Sequence, residues 1–213
     1  MEPQELERLI KVGDELFKTR PEFELGVANL EQLPTDGLME IAFAGRSNVG
    51  KSSLINAVTK AKGLARASNT PGRTQQLNYF KVDDTCHLVD LPGYGYAQAP
   101  EKMVQSWTRM IHAYLRGRVQ LRRVFLLIDA RHGIKEVDLK IMKMLDAAAV
   151  SYQIILTKCD KISRIESHKV LEKAHEIGKT HVACYPEIIV TSSEKNINID
   201  LVRAEIAKVV EGI

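Results

Sequence analysis

The chain has 213 residues, 45% of them hydrophobic, and its 30 basic against 27 acidic side chains leave a formal net charge of +3. That length favours a single domain, and that composition is enough to bury a core. The charge balance is too mild to carry nucleic-acid binding by itself, so any such contact rests on a local patch.

The opening MEPQELERLI is acidic and amphipathic, without the basic start and apolar run of a secretory leader. No apolar stretch approaches the ~20 residues of a membrane span. Cys86, Cys159 and Cys184 are odd in number and lack metal-ligand spacing, as expected of reduced thiols. The expectation is a cytoplasmic protein that is a monomer and has no membrane partner. Leu6, Ile10, Val12, Leu16 and Phe17 are spaced for an amphipathic helix over 3–19, ended by Pro21. Residues 1–36 read as this helix and a polar connector, packed on or beside a domain formed by 37–213.

From residue 39 onward, short apolar runs alternate with helical patterns. Strands are expected at 39–44, 78–83, 86–90, 123–129, 152–157 and 187–191. Helices are expected at 51–60, 100–116, 136–149, 165–179 and 197–211. VFLLID and YQIILT are apolar on consecutive residues, as strands buried on both faces are. The alternation predicts an α/β fold with a mostly parallel six-stranded sheet flanked by helices, and 78–90 predicts one antiparallel hairpin. The segment 61–77 is aperiodic and rich in breakers, the pattern of a functional loop.

GRSNVGKS, comprising Gly45, Arg46, Ser47, Asn48, Val49, Gly50, Lys51 and Ser52, is a complete Walker A pattern between a strand and a helix. Its backbone N–H groups and the helix N-terminus suit phosphates. Lys51 can reach the β- and γ-phosphates, and the Ser52 hydroxyl can ligate Mg²⁺. DLPG, from Asp90 through Leu91 and Pro92 to Gly93, ends the next buried strand pair. Asp90 is placed to hold Mg²⁺ through water, and Gly93 to offer its N–H to a γ-phosphate. Thr74 lies in the loop between these motifs, where a metal ligand engaged only by the triphosphate would make a switch; Thr70 is the rival.

TKCD, Thr157, Lys158, Cys159 and Asp160, follows YQIIL. A carboxylate there can accept from guanine N1–H and the 2-amino group, whereas adenine would leave it unpaired. Thr157 stands where Asn is more usual, keeping a hydroxyl but losing the amide. Thr191, Ser192 and Ser193 end the last strand and can present a backbone N–H to guanine O6. The four elements in this order imply guanine-nucleotide binding.

The combination GRSNVGKSS, NTPGRTQ, DLPGYGYA and TKCD resembles the EngB (YihA/YsxC) family of Era/Obg-like GTPases. That resemblance runs from about residue 39 to the C-terminus. It implies a Ras-like P-loop domain that binds GTP and GDP, hydrolyses GTP, and acts in large ribosomal subunit assembly and thereby in division and septation. It adds Gly72, Arg73, Thr74, Gln75 and Gln76 to the nucleotide contacts, with Ser52 and Thr74 as the Mg²⁺ ligands.

Many GTPases place a water-orienting glutamine just after DxxG, where this chain has Tyr94. Either a partner supplies the missing group and turnover alone is slow, or Asn48 helps hold a K⁺ ion by the phosphates. Asn48 as a loop shaper, and Tyr94, Tyr96 and Ala97 as packing of a second switch loop, are the plainer readings. Lys102, Arg109, Arg116, Arg118, Arg122 and Arg123, with Trp107 and Tyr114 interleaved, make 102–123 a candidate rRNA contact. On that reading, loss of Arg116 and Arg118 weakens ribosome binding. His87, His112 and His132 show no metal-ligand pairing. The competing functions are a regulator of a non-ribosomal protein effector in division and an ATP-using P-loop kinase, the latter opposed by TKCD.

Overall fold

The computed structural model describes residues 2–65, 76–95 and 101–213, and for 101–108 the helical backbone alone. In chain order the elements are α1 (Pro3–Leu16), β1 (Glu22–Val27), β2 (Met39–Gly45), α2 (Lys51–Val58), β3 (Leu77–Val82) and β4 (Cys86–Asp90). They continue with α3 (Glu101–Gly117), β5 (Leu121–Asp129), α4 (Glu136–Ala147), β6 (Tyr152–Thr157), α5 (Arg164–Gly178), β7 (Ile189–Val190) and α6 (Ile199–Glu211). The strands form one seven-stranded sheet in the order β1-β3-β4-β2-β5-β6-β7. β3 runs antiparallel to both its neighbours, and the β4, β2, β5, β6 and β7 pairings are parallel.

β1 is the seventh strand, one more than the six that the sequence predicts. Glu22 to Val27 is a half-exposed edge, interrupted by a register shift between Phe23 and Leu25. An alternation broken by a bulge and flanked by acidic residues reads locally as a connector; only its pairing with β3 makes it a strand.

The sheet is covered on both faces, and β2 shows how. Ile41 and Phe43 face a core built with Leu54, Ile55, Val202 and Ile206. Ala42 and Ala44 face the other core, with Ile111, Tyr114, Met142 and Leu145. Such double burial explains the continuous apolar runs of β2, β5 and β6.

Helix α1 docks on the body. Leu9 packs with Ala204 and Ala207 of α6. Gly13 lies so close to α6 that a Cβ there would sit 2.6 Å from the Arg203 carbonyl. Arg203 donates to the Val58 and Ala57 carbonyls at 2.7 and 2.9 Å, satisfying the end of α2, and to Asp14 of α1 at 3.0 Å. Arg8 meets Glu211 at 2.7 Å, fastening the other end of the helix pair.

A buried polar cluster closes the end of the sheet opposite the motifs. Glu40, fully buried at the start of β2, accepts from Arg118 Nε at 2.7 Å, Tyr114 Oη at 2.8 Å and Tyr79 Oη at 3.2 Å. Burial, and after it the Glu40 charge, push the Tyr79 and Tyr114 hydroxyls well up, so both stay protonated donors. The fully buried His87 turns Nε2 to Glu24 at 2.6 Å and Asp36 at 3.5 Å, partners from two other segments that no sequence spacing shows. The same carboxylates help raise the Lys81 pKa, after its bond to Asp84, so this edge already carries its own positive charge. Among the described residues, no helix is long and apolar enough to cross a membrane.

Candidate nucleotide site

β2 lies between β4, reached through α2 and β3 on one side, and β5 on the other, so chain connections diverge from its C-terminal edge. This is where open α/β sheets place their ligands. Gly45 ends β2 and Lys51 begins α2, so the phosphate loop occupies the turn between them. Gly50 adopts φ +103°, a conformation that an L side chain rarely takes, and Asn48 has φ 62°. Asn is among the residues that tolerate that region, which supports the loop-shaping reading of its position.

The DLPG turn is laced to this loop by backbone. Leu91 N donates to Phe43 O at 3.0 Å, Tyr94 N to Gly45 O at 3.2 Å, and Ser47 N to Tyr94 O at 3.0 Å. A Cβ on Gly93 would stand 3.1 Å from Ser47 Cα, N and Oγ, so a larger residue would press the two segments apart by a few tenths of an ångström. Lys51 forms an ion pair with Asp90, both nearly buried. Ser52, in the first turn of α2, and Asp90, at the end of β4, offer hard oxygen donors of the kind Mg²⁺ prefers.

Thr157 occupies the usual Asn position, and its hydroxyl donates to Val49 O at 2.7 Å, tying the base end of the site to the phosphate loop. Lys158, at φ 59°, donates to Asn48 O at 2.6 Å and makes a second tie. Its ammonium also lies 3.0 Å from Asp129 Oδ2. Asp129 itself did not stand out in the sequence, although an acidic residue ending the buried run VFLLID is a visible signal. Burial raises the Asp129 pKa, but hydrogen bonds from Arg131 and Lys158 outweigh it and hold the carboxyl well below its usual range.

Asp160 accepts from the Ser192 hydroxyl at 2.5 Å and lies 3.1 Å from the Lys161 ammonium. The Ser192 bond, with Lys161 behind it, lowers its pKa against the effect of burial, so it stands ready as an acceptor. Its Oδ2, which faces the Lys161 ammonium at 3.1 Å, is an acceptor with lone-pair capacity left for an N–H of a base. Cys159 is half-buried, and burial raises its pKa. Of the TSS residues, Thr191 N donates to Leu156 O at 2.6 Å and Ser192 N to Ile197 O at 3.2 Å. Both N–H groups are committed within the protein.

Gln76, which the resemblance places among the nucleotide contacts, turns its side-chain carbonyl over Gly26 of β1, three strands from the phosphate loop. Tyr94 is buried, and its hydroxyl donates to Asp138 at 2.8 Å; it is a packing residue, as the plainer reading has it. One expectation is corrected: the basic segment is not one surface. Arg118 is paired to Glu40, Tyr114 is fully buried, and Arg123 lies 3.3 Å from Glu205 and 3.9 Å over the Tyr185 ring. Arg109, Arg116 and Arg122 are exposed. Thr70, Gly72, Arg73, Thr74, Gln75, Tyr96 and Ala97, and the side chains of Lys102 and Trp107, lie outside the described residues.

A phosphate loop, a DLPG turn and a TKCD end, brought to one edge of a largely parallel sheet, define the class of P-loop GTPases. A sequence model of the family described as 50S ribosome-binding GTPase matches residues 40–158. The chain is 56% identical over 209 residues to a protein of Rhodospirillum rubrum named "Probable GTP-binding protein EngB", covering 96% of this chain and 90% of that one. A solved structure of a GTP-binding protein EngB superposes with a TM-score of 0.64 at 23% identity, covering 82% of this chain and all of that one. Era, solved with MgGDPNP and nucleotides 1506–1542 of 16S ribosomal RNA, gives 0.63 at 24% identity, covering 80% of this chain and 56% of that one. At these identities both likenesses speak for the fold. The chain belongs to the EngB family of GTP-binding proteins, a family of P-loop GTPases.

Proposed function

We propose that this GTPase is a molecular switch that engages the large ribosomal subunit or its precursors in the GTP state, and that a need for it in division follows from that role. The observation that carries the reading is the match of residues 40–158, spanning the phosphate loop, DLPG and most of TKCD, to a family described as 50S ribosome-binding. Arg109, Arg116 and Arg122 supply exposed positive charge on and just after the helix that follows DLPG. In the proposed site Lys51 and the loop amides bind the β- and γ-phosphates, and Gly93 senses the γ-phosphate. Ser52, with Asp90 through water, would hold Mg²⁺, which when bound neutralises charge on the phosphates; Thr74 is proposed to join them. Asp160 and Ser193 read the base, and Lys158 covers it.

The test is co-sedimentation with large ribosomal subunits and their precursors, comparing GDP with a non-hydrolysable GTP analogue at two salt concentrations. Stronger pelleting with the analogue, declining with salt, is the expected result. No pelleting in either state, even at low salt, would leave the GTPase intact and favour a protein effector in division.

With the Tyr94 hydroxyl committed to Asp138, two sources remain proposed for the water-orienting group: a partner, or a cation in its stead. In the second, Asn48 of the phosphate loop helps hold K⁺ near the phosphates. Faster GTP turnover in K⁺ than in matched Na⁺ is expected on that reading; equal rates end it.

A further inference from the structure

The residue after DLPG is fastened to a point that neither the family motifs nor the nucleotide contacts include. Asp138 lies in the first turn of α4 and is completely buried. Its carboxylate accepts from Lys135 N at 2.8 Å, which caps the helix, and from Tyr94 Oη at 2.8 Å. The same carboxylate stands 3.4 Å from Arg46 Nε, an ion pair in which that nitrogen makes no hydrogen bond. Arg46 also reaches the Gly133 carbonyl at 3.4 Å. One buried charge therefore touches the phosphate loop, the end of the DLPG turn and the start of α4.

The backbone shows what this arrangement holds. Arg46 and Tyr94 form a parallel β-bridge beyond the ends of β2 and β4. Gly93 is the residue between that bridge and Pro92, pressed against Ser47. Its N–H can meet a γ-phosphate only if the turn keeps its place relative to the loop. Backbone bonds hold that turn at both ends, through Leu91 and through Tyr94. At the Tyr94 end the side chain, buried and bonded to Asp138, adds a further tie. Burial, then Asp138, raise the Tyr94 pKa far above its usual value, so the hydroxyl remains a donor.

We propose that Asp138 is a positioning residue for GTP hydrolysis: by gripping Tyr94 and Arg46 together, it sets Gly93 against the phosphate loop. A helix cap alone would need only the bond to Lys135. A carboxylate that also takes a tyrosine hydroxyl and faces a phosphate-loop arginine couples the start of α4 to the part of the site that distinguishes GTP from GDP. The proposal rests on the GTPase activity of the family.

Single-turnover hydrolysis and the affinities for GDP and a non-hydrolysable GTP analogue, measured on Asp138→Asn, Tyr94→Phe and the double variant, test it. Losing a buried, charge-assisted hydrogen bond should slow hydrolysis about tenfold and weaken the analogue, while GDP affinity stays within about twofold. The losses in the double variant should fall short of multiplying, because both changes weaken the Tyr94–Asp138 contact. Hydrolysis at the wild-type rate in the folded variants would overturn the proposal. So would equal weakening of GDP and analogue, or losses that multiply in the double variant. If Asp138→Asn does not fold, Tyr94→Phe, which removes one hydroxyl, gives the same readings alone. A wild-type protein that hydrolyses no GTP would instead refute the activity on which the proposal stands.

Discussion

Replacing Asp160 by Asn is expected to lower GDP affinity at least about 100-fold and to raise affinity for xanthosine diphosphate. The carboxylate offers two acceptors to guanine, for N1–H and for the 2-amino group. An amide keeps one acceptor and turns the other into a donor, which faces the 2-amino group of guanine. Two hydrogen bonds to a charged group are lost or opposed, and at about 1.5–3 kcal/mol each that is 100-fold or more. Xanthine carries a carbonyl at the same carbon and matches the amide. The Ser192 bond at 2.5 Å holds the side chain in place, and Asn can still accept it, so the fold should survive. Titration calorimetry of both proteins with both nucleotides gives the answer. An unchanged preference for GDP would mean that Asp160 does not read the base.

The second large effect falls on stability. Arg118→Met should destabilise the protein by about 3–5 kcal/mol, because it strips from a fully buried carboxylate the cation that pairs with it among the described residues. Glu40 would keep the Tyr79 and Tyr114 hydroxyls, but two neutral donors do not balance a buried charge. In a chain of this size the melting temperature should drop by roughly 10 °C. Adding Glu40→Gln should restore most of it, since the charge and its partner then leave together. A single variant that melts like the wild type would show that the pair is not the anchor described here. The same result separates stability from binding: a ribosome-binding defect in this variant would follow from loosening of α3, whereas Arg116 and Arg122 can be changed without touching the core.

Contiguous motifs were legible in the sequence, and relationships across the chain were not. Gly45–Ser52, Asp90–Gly93 and Thr157–Asp160 each occupy one turn at the end of one strand, so their spacing alone states their chemistry. The buried parallel strands were equally plain, because burial on both faces writes an unbroken apolar run. β1 was missed because an edge strand buries little and this one carries a bulge. Arg118 and Arg123 looked like surface charges beside Arg116 and Arg122, since nothing local says that Glu40 and Glu205 wait 78 and 82 positions away. Asp138 was silent for the same reason, its partners Arg46 and Tyr94 coming from other loops, whereas Asp129 had a visible signal at the end of VFLLID that went unused. A tyrosine at the position after DLPG could be read as non-catalytic, but the group it serves could not.

Whether this sheet edge forms a site specific for guanine nucleotides is decided by calorimetric titration of the wild-type protein with GDP and ADP in Mg²⁺. Saturable binding of GDP and no measurable heat with ADP are expected. Comparable affinity for the two would contradict that specificity.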